Sequence, residues 1–301
     1  MSESAPANRF ENHRYRDVLY LVTINISALI LNPVVVAYEI DPLVVTFWRC
    51  FFGALIFIAI ALAAQPNFYQ DINRSQWGFM LVAGFALACH FISLMEGLYL
   101  LSLGVALAIM ATGTIWVGLL GIILLKQMLT SGQWAGLIIG FGGILLYAWI
   151  GDTLDNQNPA GLVWLLVSSL SFAIYIVLGQ KIRPSTTNFA YVAVVFSVAA
   201  VISFLYAMAT NHSLAPERSG DWIGIALITF LGQIMVHSIS NLYLKHGEAT
   251  LLQLSTLVQI PLGAVIGWLL FDQLSRIELV PALLLVIFGL VIYLLFKSKP
   301  G

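Results

Sequence analysis

Long apolar runs separated by short polar turns recur along the whole chain. Two of them, 222–244 and 249–270, flank the turn Lys245-His246-Gly247-Glu248. The first carries Gln233, His237 and Asn241 at i, i+4 and i+8, which on a helix draws one polar stripe within an arc of about 80°. The second carries Gln253, Thr256 and Gln259 at i, i+3 and i+6, and then Pro261. It too has one wet side, with a predicted break in its hydrogen-bond ladder. Both helices are expected to face a shared polar interior.

Read the same way, the chain predicts helices near 18–36, 44–63, 77–98, 103–125, 132–150, 161–180, 188–209, 222–244, 249–270 and 278–296. Each is close to the roughly 20 apolar residues that cross a bilayer. A rough copy recurs at an offset of about 144–146 positions: Gly97-Leu98-Tyr99-Leu100 echoes Asn241-Leu242-Tyr243-Leu244, and Leu129-Thr130 echoes Leu274-Ser275. The expected fold is therefore an all-α integral membrane protein of ten transmembrane helices, built as two five-helix repeats. Because five is odd, the second repeat enters the membrane inverted. The expected boundaries are a tail over 1–17, repeats over 18–150 and 161–296, a polar linker over 151–160 and a short tail over 297–301.

Composition closes off other classes. With 60% apolar and 9% charged residues, the chain has nothing to spare for a soluble domain. A net charge of −1, with no cluster of Lys and Arg among aromatics, leaves no footprint for nucleic acid. Cys50 and Cys89 fall inside apolar runs, where a thiol acts as a small hydrophobe, so neither a disulfide, a metal nor a cofactor is expected. Arg9, Arg14, Arg16, Arg74, Lys126, Lys181, Arg183, Lys245, Lys297 and Lys299 fall on the side of the termini, against only Arg218 and Arg276 opposite. By the positive-inside rule both termini are cytoplasmic. Gly136, Gly140, Gly142 and Gly143 give the fifth helix a small-residue face, for packing within the bundle or, alternatively, for a homodimer contact.

Several stretches resemble the EamA-type transporters of the drug/metabolite transporter superfamily. They are Gly161-Leu162-Val163-Trp164-Leu165-Leu166 through Ser171-Phe172-Ala173-Ile174-Tyr175, Phe47-Trp48-Arg49, Tyr243-Leu244-Lys245, Pro261 with Gly267-Trp268-Leu269-Leu270, and Gly289. The resemblance runs through both halves. Where the family often places a glutamate, the chain reads Lys126-Gln127 and Phe271-Asp272. The resemblance implies export of an amino-acid-like or other small polar metabolite across a bacterial inner membrane; uptake is the alternative direction.

Candidate chemistry follows from depth. At 1.5 Å per residue, His90, Thr112, Thr114, Gln233 and Gln259 come within roughly 3–4 Å of the midplane, and Ser171 joins them. Tyr175 and His237 complete the expected substrate-binding set. Polar side chains in hydrocarbon are costly and face a cavity or a partner, so a substrate pathway is one reading and helix–helix hydrogen bonding the other. Arg49 and Glu96, read as the ionisable groups well inside spans, lie at similar depth in the outer third and are expected to form a gating or structural ion pair. The lack of a midplane Lys or Arg then favours a neutral or zwitterionic solute. No Asp reaches the midplane and no His-Glu-x-x-His motif occurs, which speaks against an intramembrane hydrolase. The expected partners are a small-molecule substrate and the lipid bilayer. A non-transporting assembly factor is the distant alternative.

Overall fold

The computed structural model describes residues 6–101, 103–150, 158–262 and 277–296, and every regular element in them is helical. The linker over 151–157, the second half of the expected ninth span with Gly267 and Trp268, the Phe271-Asp272 that follows it, and the final tail lie outside the described residues. Seven helices are long and apolar enough to cross a membrane, and three shorter apolar helices accompany them.

Polar turns start the helices where the sequence supplies caps. Asp41 accepts from the Leu43 and Val44 N–H groups at 2.9 and 3.0 Å and opens α2 (Pro42–Ala64), with Pro42 in the first turn, where its missing N–H costs nothing. Asn73 and Gln76 form a reciprocal capping box at the start of α3 (Arg74–Leu100). Asn158 caps α7 (Pro159–Ile182). The first helix, α1 (Pro6–Tyr38), begins inside the segment expected to be a tail.

Three of the expected helices are interrupted. The fourth breaks into α4 (Leu103–Met110) and α5 (Gly113–Leu125). There the Thr112 and Thr114 hydroxyls donate to the carbonyls of Ile109 and Ala111, at 2.7 and 2.8 Å, and their backbone N–H groups bond three residues back instead of four. The eighth runs as α9 (Asp221–Ile228), a π-helical stretch Thr229–Ser238 and α10 (Ile239–Tyr243). Thr229 opens the π stretch by donating its hydroxyl to the Ile225 carbonyl at 2.7 Å, the acceptor that an α-helical N–H would use. The ninth starts as α11 (Ala249–Ser255) and tightens to a 3₁₀ turn at Thr256–Val258. That turn spans the carbonyl four residues before Pro261, where the proline ring clashes with an α-helical ladder.

Packing repeats at an offset of five helices. With α6 (Ser131–Ile150), α8 (Asn188–Ala209) and α12 (Val280–Leu295), the main pairs are α2 with α8, α6 with α12, and α3 with α7, the last matched by α1 against 221–243. Exchanging each helix for the one five places on returns the same set, which is the pattern of two copies of one unit. The glycine face of α6 is used within the chain. A Cβ on Gly289 of α12 would lie 2.4 Å from the Gly140 backbone nitrogen, so only glycine permits this approach. Gly136, Gly140 and Gly143 are thus used for packing within the bundle, whereas a Cβ on Gly142 would meet nothing within 4 Å.

The largest buried cluster lies among α2, α3, α7 and α8, around Met80, Leu87, Tyr191 and Phe196. Outside, the exposed side chains are themselves apolar: Leu81, Val82 and Phe85 on α3, Val201 and Leu205 on α8, and Phe288 on α12 are each 50% exposed or more. A bundle apolar both inside and out has lipid for its solvent, and the chain is an integral membrane protein.

Candidate functional site

A cavity of about 170 Å³ lies between the halves, with walls from α1, α2, α3 and α4 on one side and from α7, the π stretch and α11 on the other. That is smaller than the roughly 300–1,000 Å³ of drug-sized pockets and suits a small solute. All three helix interruptions border it, through Met110 and Ala111, Val236 and His237, and Thr256 and Leu257. Irregular backbone at membrane depth is tolerated where it lines such a space.

The polar wall consists of Arg49, His90, His237, Ser240, Gln253, Thr256 and Gln259, and none of the described lining residues is acidic. Arg49 is 1% exposed. Its Nε and Nη2 both donate to Gln233 Oε1, at 3.0 and 2.8 Å, and its guanidinium carbon stands 4.0 Å from the centre of the Phe91 ring. Gly232 makes this possible: a Cβ there would fall 2.3 Å from Arg49 Nη2. Phe91 also meets the His237 ring edge-on, at 4.9 Å and 90°. His90 packs on Phe172 at 4.7 Å, and its Nδ1 lies 2.9 Å from Ser168 Oγ and 3.1 Å from the Ser168 carbonyl. The wall is thus a cation and two imidazoles fixed by aromatic faces. On α11 and beyond, Gln259 Nε2 donates to Asn25 Oδ1 at 2.9 Å, and Asn25 Nδ2 donates to Ser255 Oγ at 3.1 Å, which ties α1 to this wall.

Of the residues expected from sequence to bind substrate, His90, His237 and Gln259 line the cavity. Others stand behind its wall. Gln233 is fully buried and spends its oxygen on Arg49. Thr112 pairs with Ser169 at 2.9 Å, and Thr114 bonds its own helix. Tyr175 accepts from Asn241 Nδ2 at 2.5 Å and packs 5.8 Å from the His237 ring. Ser171 is buried on α7 outside the lining. For Thr112, Thr114 and Tyr175, helix–helix or local hydrogen bonding is the structural role.

One expectation is corrected. Arg49 pairs with Gln233 and Phe91 instead of Glu96, because its side chain turns inward to the cavity. Glu96 stays partly exposed, 120° or so round α3 from His90. Arg183, one of the cations counted on the terminal side, is 1% exposed at the end of α7 and donates from Nε to the Asn241 carbonyl at 2.9 Å. Sequence reasoning also left Ser240, Phe91 and Phe172 out of the site. Gln253 and Thr256 had a usable signal, since they share the polar stripe of Gln259.

A protein-family model described as the EamA-like transporter family matches residues 19–149 and again 159–295. A solved crystal structure whose title gives no function is similar over 93% of this chain and 97% of its own, with a TM-score of 0.75 at 17% identity. That likeness speaks to the fold alone. No protein with a curated description matches the chain.

The contacts of Arg49 predict the outcome of two double-mutant cycles read by thermal unfolding of the purified protein. Arg49→Gln combined with Gln233→Leu is expected to show a coupling of about 1 kcal/mol or more, whereas Arg49→Gln combined with Glu96→Gln adds within about 0.5 kcal/mol. The reverse ranking would restore Glu96 as the partner.

Proposed function

Because the chain belongs to the EamA-like transporter family, we propose that it is a secondary transporter that moves a small neutral or zwitterionic metabolite, amino-acid-like in character, by alternating access. The observation that carries this reading is the cavity. It lies where the two family repeats meet, is walled by both, and concentrates the polar groups of an otherwise apolar bundle. Two similar units packed about a central site can rock against each other and expose it to either side in turn. In this reading the seven long and three shorter apolar helices make ten crossings, in two inverted repeats of five. The tails lie in the cytoplasm, the membrane is the bacterial inner membrane, and the direction is export. Uptake through the same cavity is the second direction to be tested.

The topology predicts that reporter fusions at Asn156 and at the C-terminus report opposite sides of the membrane. A shared side would remove the inverted arrangement. Activity is tested in vesicles reconstituted with the purified protein. Net flux of amino-acid-like solutes is expected, and His90→Ala is expected to reduce it about tenfold or more while folded yield is kept, because the substitution opens the polar wall. Movement of no small solute would favour a non-transporting membrane assembly factor, and robust exchange of sugar phosphates unaffected by His90→Ala would contradict the proposed site. In cells that overproduce the protein, lower intracellular accumulation of the moved solute supports export, and higher accumulation supports uptake.

A further inference from the structure

Among the described residues, the guanidinium in the cavity wall has no anion beside it. Arginine keeps its charge at any physiological pH, so in a membrane interior it must be neutralised by a partner or remain costly. Both partners of Arg49 among the described residues are neutral, and the two bonds converge on one amide oxygen. A carboxylate takes a guanidinium fork with two separate oxygens, which one amide oxygen cannot imitate. Two further buried groups in the same wall have no hydrogen-bond partner among the described residues, His237 Nδ1 and Gln253 Oε1, each on a residue 4% exposed. Gln253 Oε1 can only accept, so it calls for a donor. The remainder of the wall is apolar, including Leu94, Leu98, Met110 and Leu257.

We propose that Arg49 is the anchor for a carboxylate of the transported solute, that Gln233 holds the guanidinium while the site is empty, and that Gln253 Oε1 takes an N–H of the same solute. The ligand class is a small α-amino acid with an apolar side chain. Neutral solutes and simple amines leave the guanidinium unpaired and are excluded. The cavity also rejects a second negative charge, because its described lining offers one cation. This inference rests on the transporter reading and narrows it.

The test uses vesicles containing the full-length protein and loaded with a mixture of the standard amino acids, the carboxamides of leucine, phenylalanine and methionine, and spermidine, with protein-free vesicles as the blank. Efflux of each compound is followed by mass spectrometry. Apolar amino acids are expected to leave at least about tenfold faster than their carboxamides, the value of one charge-assisted pair at about 1.4 kcal/mol per factor of ten. Arg49→Lys, which keeps the charge but loses the fork, is expected to slow amino-acid efflux about tenfold while preserving the preference for acid over amide. Arg49→Gln is expected to erase the preference, a change in selectivity that a purely structural arginine would not produce. Equal efflux of acids and carboxamides, or a preference that survives Arg49→Gln in folded protein, would overturn the anchor while leaving the protein a transporter. Efflux of nothing above the blank would overturn the transporter reading and the anchor with it.

Discussion

Hydrocarbon offers no hydrogen bonds, and that constraint arranges this molecule. Each buried polar group has to find a partner inside the protein or open onto a space that water or solute can fill. Most do the first. Arg183 bonds the Asn241 carbonyl, Asn241 donates to Tyr175 and to the His237 carbonyl, and the threonines bond their own helices. A smaller group borders the cavity: Arg49, bonded to a neutral amide, with His237 and Gln253, whose Nδ1 and Oε1 find no partner among the described residues, and this supports the proposal that a solute binds there.

The backbone follows the same division. Where helices pack on lipid or on one another they are regular, and the close glycine contact of α6 with α12 depends on that regularity. Where three helices border the cavity they are interrupted by a threonine pair, a π stretch and a 3₁₀ turn before a proline. Interruptions of this kind leave carbonyls to be satisfied by side chains, as Asn241 satisfies His237. They also give the wall short segments that can change geometry while the packed pairs around them stay intact, which suits a site reached from two sides in turn.

Much of this was legible in the residues. Apolar run length gives the helices, the repeat offset gives the two units, and the stripe through Gln253, Thr256 and Gln259 gives one wall of the site, because each rests on local periodicity. Depth arithmetic also found His90, and the i, i+4 stripe of the eighth helix found His237. Depth failed for Arg49, because position along a helix fixes the Cα and says little about where a long flexible side chain carries its charge. The guanidinium reaches inward past Gly232, a contact 183 positions away in sequence that no local pattern encodes. Thr112, Thr114 and Tyr175 have the right depth and the wrong direction, which only the packed neighbours reveal. The π stretch was hidden too, since its i, i+4 polar spacing reads equally well as α-helix.

The central claim is that the cavity between the repeats is the path of the solute. Its most direct test is solute protection at a single cysteine placed at Thr256, in a chain with Cys50→Ser and Cys89→Ser, in reconstituted vesicles. A thiol reagent is expected to label Thr256→Cys, to stop efflux once labelling is complete, and to react several-fold more slowly while the transported amino acid is present. Efflux that continues through fully labelled protein, with a labelling rate indifferent to the solute, would contradict the account.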